Sequence, residues 1–182
     1  NAVLRAELNV TERSPHSMTV HYVDLSEDAA IAGTYKDFKF VNSTEYPIYI
    51  EGYTTSDKKI TFNIYGKETR DKNRTISFES QMVSETPATT ILQEDAGQGI
   101  GYKAVSSKGS SGYVAELYKI VKVNGVETDR IKVNKSTYKG TNRVVTYGTA
   151  GDPTLSENLR AAIAAQDEAL ADANIAAAVP AQ

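Results

Sequence analysis

The strongest constraint on the fold comes from residues 37–70, DFKFVNSTEYPIYIEGYTTSDKKITFNIYGKETR, where three runs keep a two-residue period. Phe38 and Phe40 alternate with Asp37, Lys39 and Val41. Ile48 and Ile50 alternate with Tyr49 and Glu51, and Ile60, Phe62 and Ile64 alternate with Thr61, Asn63 and Tyr65. Period two places an apolar row on one side of a sheet and polar or amphipathic groups on the other. The polar gap at 42–45 runs into Tyr46-Pro47, and Pro47 has no N–H to give a ladder, so it belongs at a strand start or edge. The gap at 54–59 is polar and charged, as a hairpin loop should be. The pattern predicts a three-stranded antiparallel meander.

The side chains available for a core are unusual. The chain of 182 residues has no Trp, no Cys and only 4 Phe, but 11 Tyr. Tyr- and Thr-rich strands suit sheets with at least one wet face, so a mainly β protein with little enclosed interior is expected. A net charge of −3 argues against a nucleic acid or an anionic membrane surface as partner. No apolar run has the length of a membrane-spanning helix. The absence of Cys excludes a disulfide framework, a thiolate metal site and a cysteine nucleophile within these residues. No cofactor is expected.

Either side of the meander the composition changes. Residues 1–13 read as a helix with Val3, Leu4 and Leu8 on one face, Asn1 as a cap and Pro15 beyond its end. Residues 75–83 are a strand candidate, with Ile76 and Phe78 on one face. The following stretch is punctuated by Gly97, Gly99, Gly101, Gly109 and Gly112. Asn124-Gly125 lies between LYKIVKV and VETDRIKV, and both residues tolerate the positive φ of a type I′ hairpin turn. In the strand over 117–123, Lys119 shares a face with Leu117, Val121 and Val123, while Tyr118, Ile120 and Lys122 fill the other, so neither face is cleanly apolar. A last strand, NRVVTYGT, closes the region. These features predict an elongated, thin antiparallel β-sheet module over 71–149.

Residues 150–182 are different again: twelve of these 33 residues are Ala. Asp152-Pro153 and Thr154-Leu-Ser-Glu157 give a proline near a helix start and a capping-box pattern. A single C-terminal Ala-rich helix over about 155–177 follows, with a thin stripe of Leu155, Leu159, Ile163 and Leu170 that needs a partner surface on this chain or another. A solvated, partly helical linker is the alternative.

Two resemblances overlay this reading. DFKFVNSTEYPIYIEGY followed by TFNIYG resembles the C-terminal signature of the VanW-like domains of Gram-positive cell-envelope proteins. ERSPHS and VHYVDLSEDAAI resemble that family's His-containing loop and the strand after it, with His16, Ser17 and Asp28 on matching positions. Ser14 stands where the family often has another His, and Asp24, Ser26 and Glu27 replace its usual Pro and Gly-Arg. In that family the first helix continues upstream into a Gly-rich, Cys-containing segment, which implies a processed or incomplete polypeptide. Residues 79–149 are similar to the five-glycine domain found beside VanW-like domains and in bacterial surface adhesins. The resemblances divide the chain into the C-terminal part of a VanW-like domain at 1–70, a five-glycine-like module at 71–149 and an acidic tail at 150–182. They imply an extracellular, envelope-associated location in a Gram-positive bacterium.

Several side-chain groups are candidates for chemistry. The sharpest catalytic idea is a thiol enzyme completed by the family's upstream Cys, with His16 as base and Asp28 fixing its tautomer; ordinary loop hydrogen bonds are the plain reading of the same pair. His16 and His21 are five residues apart and would point to opposite faces of a strand, which disfavours a shared metal. Glu94 and Asp95 are the carboxylates a metal in the Gly-rich half would have to use, and no metal site is expected. Tyr102, Tyr113, Tyr118 and Tyr138 are sugar-platform candidates, because flat rings stack on pyranoses. The resemblance supports this, since five-glycine modules are proposed to bind N-acetylglucosamine-containing wall polymers. The same tyrosines could simply cover a one-layer sheet. GQGIG at 97–101 lacks the strand-to-helix context and the Lys-Ser/Thr pair of a nucleotide loop.

Three functions follow from these features. The first is a non-catalytic wall-attachment or spacer module whose partner is cell-wall glycan or peptidoglycan. The second is a subunit of a surface layer or filament, a homo-oligomer assembling through sheet edges and the tail. The third is a fragment of a peptidoglycan-acting thiol enzyme that needs its missing N-terminal half.

Overall fold

The computed structural model describes residues 1–178; residues 179–182, the end of the Ala-rich segment, lie outside the described residues. Strand accounts for 49% of the chain, so the protein is mainly β, with a short N-terminal helix, antiparallel sheets and helices at the C-terminal end. The chain divides into two compact units. The first comprises Asn1–Ser84 with Tyr113–Tyr138, the second Glu85–Gly112 with Lys139–Gln182.

In the first unit the chain opens with α1 (Ala2–Arg5), much shorter than the periodicity predicts. Glu7 ends it by taking a positive φ of 56°. The Leu8 amide then bonds the Val3 carbonyl at 3.2 Å and the Glu7 amide bonds Leu4 at 3.0 Å. That is the paired arrangement of a Schellman cap, with buried Val3 and Leu8 in the positions of its usual hydrophobic contact. A left-handed non-glycine residue costs about 1–2 kcal/mol. Glu7 offsets that cost with its carboxylate, which receives Arg74 Nη2 at 2.8 Å, Lys119 Nζ at 2.9 Å and Arg70 Nη1 at 3.2 Å. The Arg74 hydrogen bond, joined by those of Lys119 and Arg70 and opposed by burial, pulls the Glu7 carboxyl down from an ordinary 4.5 to about 2.

What remains of the predicted helix is β1 (Asn9–Glu12), paired antiparallel with β2 (Lys39–Val41). This pairing corrects the meander, because the runs form two separate ladders. β2 belongs to β1, while β3 (Tyr49–Thr54) pairs with β4 (Ile60–Tyr65) in strict register. The break lies at 42–47. There Asn42 bonds the Tyr46 carbonyl at 2.8 Å and accepts from the Thr44 amide at 3.1 Å, so local side-chain bonds replace a ladder. The unit's third sheet has the order β5-β8-β9, with β5 (Arg74–Thr86), β8 (Gly112–Val123) and β9 (Val126–Tyr138). Asn124 and Gly125 turn β8 into β9 with φ of 53° and 81°, as the sequence predicts. Central β8 supplies buried Ala115, Leu117, Ile120 and Val121.

The second unit is built on β6 (Thr90–Gly99), β10 (Thr141–Ala150) and β7 (Lys103–Ser110), in the order β6-β10-β7. β10 runs antiparallel to β7 but parallel to β6, so this sheet departs from the all-antiparallel expectation. Gly148 sits where the β6–β10 register shifts, and a Cβ there would collide with the Gly99 carbonyl. The Ala-rich segment folds as two helices rather than one: α2 (Pro153–Ala164) and α3 (Glu168–Ala178). Asp152 caps α2 through the Thr154 and Leu155 amides. Gln166, at φ 56°, ends it with a second Schellman pattern, and Asp167 starts α3 by accepting from the Leu170 amide.

The Gln166 side chain also accepts from the Leu92 amide at 2.8 Å and donates to the Leu92 carbonyl at 3.0 Å, occupying the open edge of β6. The stripe predicted for the tail is partly a core. Leu159 and Ile163 pack with Leu92, Val145, Tyr147, Ala162 and Ala171, whereas Leu170 is exposed. Residues 153–178 therefore do not form a solvated linker. Their acids meet the sheet's bases: Arg143 bonds Glu168 at 2.6 and 3.0 Å, and Lys103 bonds Asp172 at 2.6 Å.

Two outcomes follow from these anchors. Glu7→Gln should lower the unfolding free energy by roughly 2 kcal/mol at neutral pH, allowing for solvent screening of the arginine side. Because the folded value lies below the ordinary one, the contribution is whole above pH 4.5 and is lost as pH falls toward about 2. Urea titrations of native and variant chains should therefore converge across that window. Leu159→Ala, at a fully buried site, should cost about 3 kcal/mol, read as a shift of the denaturant midpoint.

Candidate functional site

The first unit holds a buried polar centre around Asp28. The loop after β1 carries Arg13, Pro15 and His16 back past residues 26–30, and the Ala30 amide closes it on the Ser14 carbonyl at 2.8 Å. Asp28 has a fully enclosed side chain. Its Oδ2 accepts from the His16 amide at 2.6 Å and lies 2.8 Å from His16 Nδ1. Its Oδ1 accepts from Arg13 Nη2 at 3.2 Å and from the Tyr138 hydroxyl.

The shell around these bonds is also satisfied. Arg13 Nε donates to the Asp28 carbonyl at 2.7 Å, Arg13 Nη1 to Ser136 Oγ at 2.9 Å and Arg13 Nη2 to the Ser26 carbonyl at 3.1 Å. The Ser26 amide donates to Tyr138 Oη at 2.7 Å and its hydroxyl to the Ala115 carbonyl at 2.8 Å. Each of these groups has its partner, as burial at low dielectric demands.

The electrostatics follow from the donor set. Burial opposes ionisation of Asp28, but the His16 amide, the Tyr138 hydroxyl, the His16 ring and the Arg13 guanidinium together hold its carboxyl below the usual range. Burial, reinforced by the adjacent Asp28 carboxylate, pushes the Tyr138 phenol up. An ionised carboxylate only accepts, so the His16 ring meets Asp28 with a proton on Nδ1. The structure thus brings together the two residues that the sequence pairs as base and orienter. The His16 side chain is 34% exposed, and Tyr22 stands edge-on to it, ring centroids 6.3 Å apart. His21 is exposed.

The tyrosines nominated from sequence are not one platform. Tyr138 is 2% exposed, so its ring is a core element with no face left for a sugar; sequence alone could not show that Asp28 would claim its hydroxyl. Tyr113 stands opposite Tyr138 in the β8–β9 ladder. Tyr118 donates to Glu116 at 2.7 Å. Tyr102, 40% exposed, belongs to the other unit. Glu94 is engaged by Thr149 at 2.6 Å and Arg160 at 2.7 Å, and Asp95 accepts the Gly97 amide at 2.9 Å. Among the described residues no three His, Asp or Glu side chains gather where a metal could be held.

Beside the Asp28 centre lies an open cavity of about 700 Å³, lined chiefly by apolar side chains including Val10, Phe38, Phe40, Ile50, Phe62 and Ile64. Asn134 Oδ1, also in its wall, is buried without a partner.

The sequence over 1–65 matches the family model described as VanW like protein, and residues 78–150 match that of the G5 domain. The chain carries a VanW-like segment followed by a G5 domain. No curated protein matches it. Among solved structures it is similar to "IgA1 Protease G5 domain structure", at 24% identity over 46% of this chain and 100% of that one, TM-score 0.33. It is also similar to "Crystal structure of HP0197-G5", at 20% identity over 41% of this chain and 97% of that one, TM-score 0.26. The Asp28 centre joins the two sequence families: Arg13, His16, Ser26 and Asp28 are VanW-like, while Ala115, Ser136 and Tyr138 are G5 residues. No helix among the described residues is long and apolar enough to cross a membrane.

Asp28→Asn keeps the shape but removes the charge that Arg13 and His16 face. Breaking a buried pair costs about 3–5 kcal/mol, so the variant should unfold at markedly lower urea. The nitrogen shifts of His16 should change from one fixed Nδ1–H tautomer to a mixture. An unaltered midpoint and tautomer would show that Asp28 does not govern this centre.

Proposed function

We infer that the chain is a cell-wall-associated module, exposed on the outside of a Gram-positive cell, that attaches or spaces a larger envelope protein. The observation that carries this reading is the succession of a VanW-like segment and a G5 domain along one chain. The Asp28 centre gives such a module a fixed frame. Both carboxylate oxygens are saturated by Arg13, Tyr138 and His16, and the same contacts hold the VanW-like loop to the G5 strands. The carboxylate's bonds tie the loop to the strands.

Sedimentation with purified peptidoglycan sacculi tests the reading. The full chain should co-sediment saturably and be displaced by solubilised wall fragments. Complete recovery in the supernatant at every sacculus concentration would remove the wall as its partner.

A further inference from the structure

The two C-terminal helices are unevenly held. α2 puts Leu159, Ala162 and Ile163 into the apolar cluster of the second unit, whereas α3 contributes the fully buried Ala171 and the partly buried Ile175. An Ala-rich helix has little apolar surface to hide, so α3 depends on polar contacts made by two side chains one turn apart. Glu168 accepts from Arg143 at 2.6 and 3.0 Å and from Lys103 at 3.2 Å. Asp172 accepts from Lys103 at 2.6 and 2.8 Å and from the Tyr147 hydroxyl at 2.8 Å. The four charged side chains are 31–47% exposed, and ion pairs with this access to water are weak and easily remade. Lys103 on β7, with Arg143 and Tyr147 on β10, thus forms a seat that reads a short code. The code is an acid at i and i+4, with Ala at i+3 and Ile at i+7.

The bend that lays α3 on its own seat rests on one residue. Ala165 ends α2 still in right-handed helical space, and Gln166 alone turns the chain with a φ of 56°. That conformation is unfavourable for a residue with a Cβ. No Gly or Pro stands between 154 and 178 to break a helix, and Ala164-Ala165 leads directly into the bend. The bend is kept by the Gln166 side chain, which bonds the amide and carbonyl of Leu92 on β6 and the Ile163 carbonyl. With Gln166 in right-handed space, α2 and α3 become the single continuous helix that the sequence pattern predicts. α3 then projects beyond its own seat, leaves it empty and offers the same code to the seat of another copy.

We propose that two copies of this chain exchange α3, with Gln166 as the hinge, so that Glu168 and Asp172 of each bond Arg143, Lys103 and Tyr147 of the other. A strained, short hinge beside a helix able to run straight is the arrangement that invites exchange. Every seat contact is kept in the exchanged form, so the balance between monomer and dimer turns on the hinge and on concentration. The occupant is a second copy because the whole code is carried by this chain, beside the seat it fits.

Light scattering on the full chain, equilibrated at a series of concentrations, should show a monomer passing into a dimer. Gln166→Ala removes the Leu92 bonds and favours the straight helix. With two hinges per dimer, it should lower the dissociation constant about tenfold or more. A matched pair of charge reversals identifies the contact. Lys103→Glu with Arg143→Glu, in one chain, and Glu168→Lys with Asp172→Lys, in another, each set like charges across the seat. Each of these chains alone should be monomeric. Their equimolar mixture should form a 1:1 dimer, because each seat now fits the other chain's α3.

Amide hydrogen exchange over 168–178 should show weak protection in either reversed chain alone and native protection in the mixture. Protection of the β8 and β10 amides verifies that each variant is folded. A native chain that stays monomeric at every concentration, a Gln166→Ala chain that dimerises no more tightly than the native one, or a mixture that neither dimerises nor protects α3 would each overturn the exchange. Dimer formation is read without any ligand, so it stands or falls separately from wall binding.

Discussion

The first unit depends on carboxylates taken out of water and surrounded by donors. Asp28 is fully enclosed and Glu7 is largely so. Each joins pieces far apart in sequence, Asp28 reaching residue 138 and Glu7 reaching residues 70, 74 and 119. Desolvating a charge costs several kcal/mol, and good pairing does little more than recover it. Such centres therefore add modest net stability. Their effect is on uniqueness, because a displaced loop would leave Arg13 or Lys119 facing an apolar surface without its anion. In a chain without Trp, and with few large side chains at the contact between the VanW-like loop and the G5 strands, this directional chemistry takes over the role of shape complementarity.

The second unit meets the same shortage differently. It encloses Tyr147, Val145 and Leu159 in one apolar cluster and confines its charges to the rim, where Arg143 and Lys103 meet Glu168 and Asp172. The G5 span contributes to both units: β5, β8 and β9 to the first, β6, β7 and β10 to the second. Each three-stranded sheet needs a cover on one face, because its strands are not apolar enough to pack on themselves. VanW-like residues cover the first. The second is covered by α2 and α3, which neither family match includes. The acidic excess of the tail, unexplained by helix formation alone, is accounted for by the bases on β7 and β10.

How much of this was legible in the sequence depended on how local the deciding interaction was. Asn124-Gly125 set its hairpin within two residues, and the alternation over 49–65 fixed both strands and their faces. The start of α2 was marked by Asp152-Pro153. Three features needed distant partners and were missed. The N-terminal helix stopped at Arg5 because Glu7 could occupy left-handed space in return for three cations. Residues 9–12 became a strand because β2 was available to pair. The tail broke at Gln166 because its amide found the edge of β6. The Asp167-Glu168 pair that begins α3 was a readable cap signal lying within an apparently continuous helical stripe. Among candidate site residues, His16 and Asp28 were legible as a pair. Tyr138 was misjudged because ring count in the Gly-rich half says nothing of burial.

The carboxylate centres and the hairpin are linked by a simple requirement. A two-stranded ribbon is at best marginally stable alone, and β3–β4 has one ladder and two open edges. Its Ile50, Phe62 and Ile64 side chains border an open cavity whose wall also includes Val10, Phe38, Phe40, Arg13 and Asp28, and Ile50 and Phe62 stay 45% and 53% exposed. Asp28 holds Arg13, Arg13 follows β1 directly, and β1 holds β2. The polar centre therefore fixes one wall of that cavity through β1 and β2.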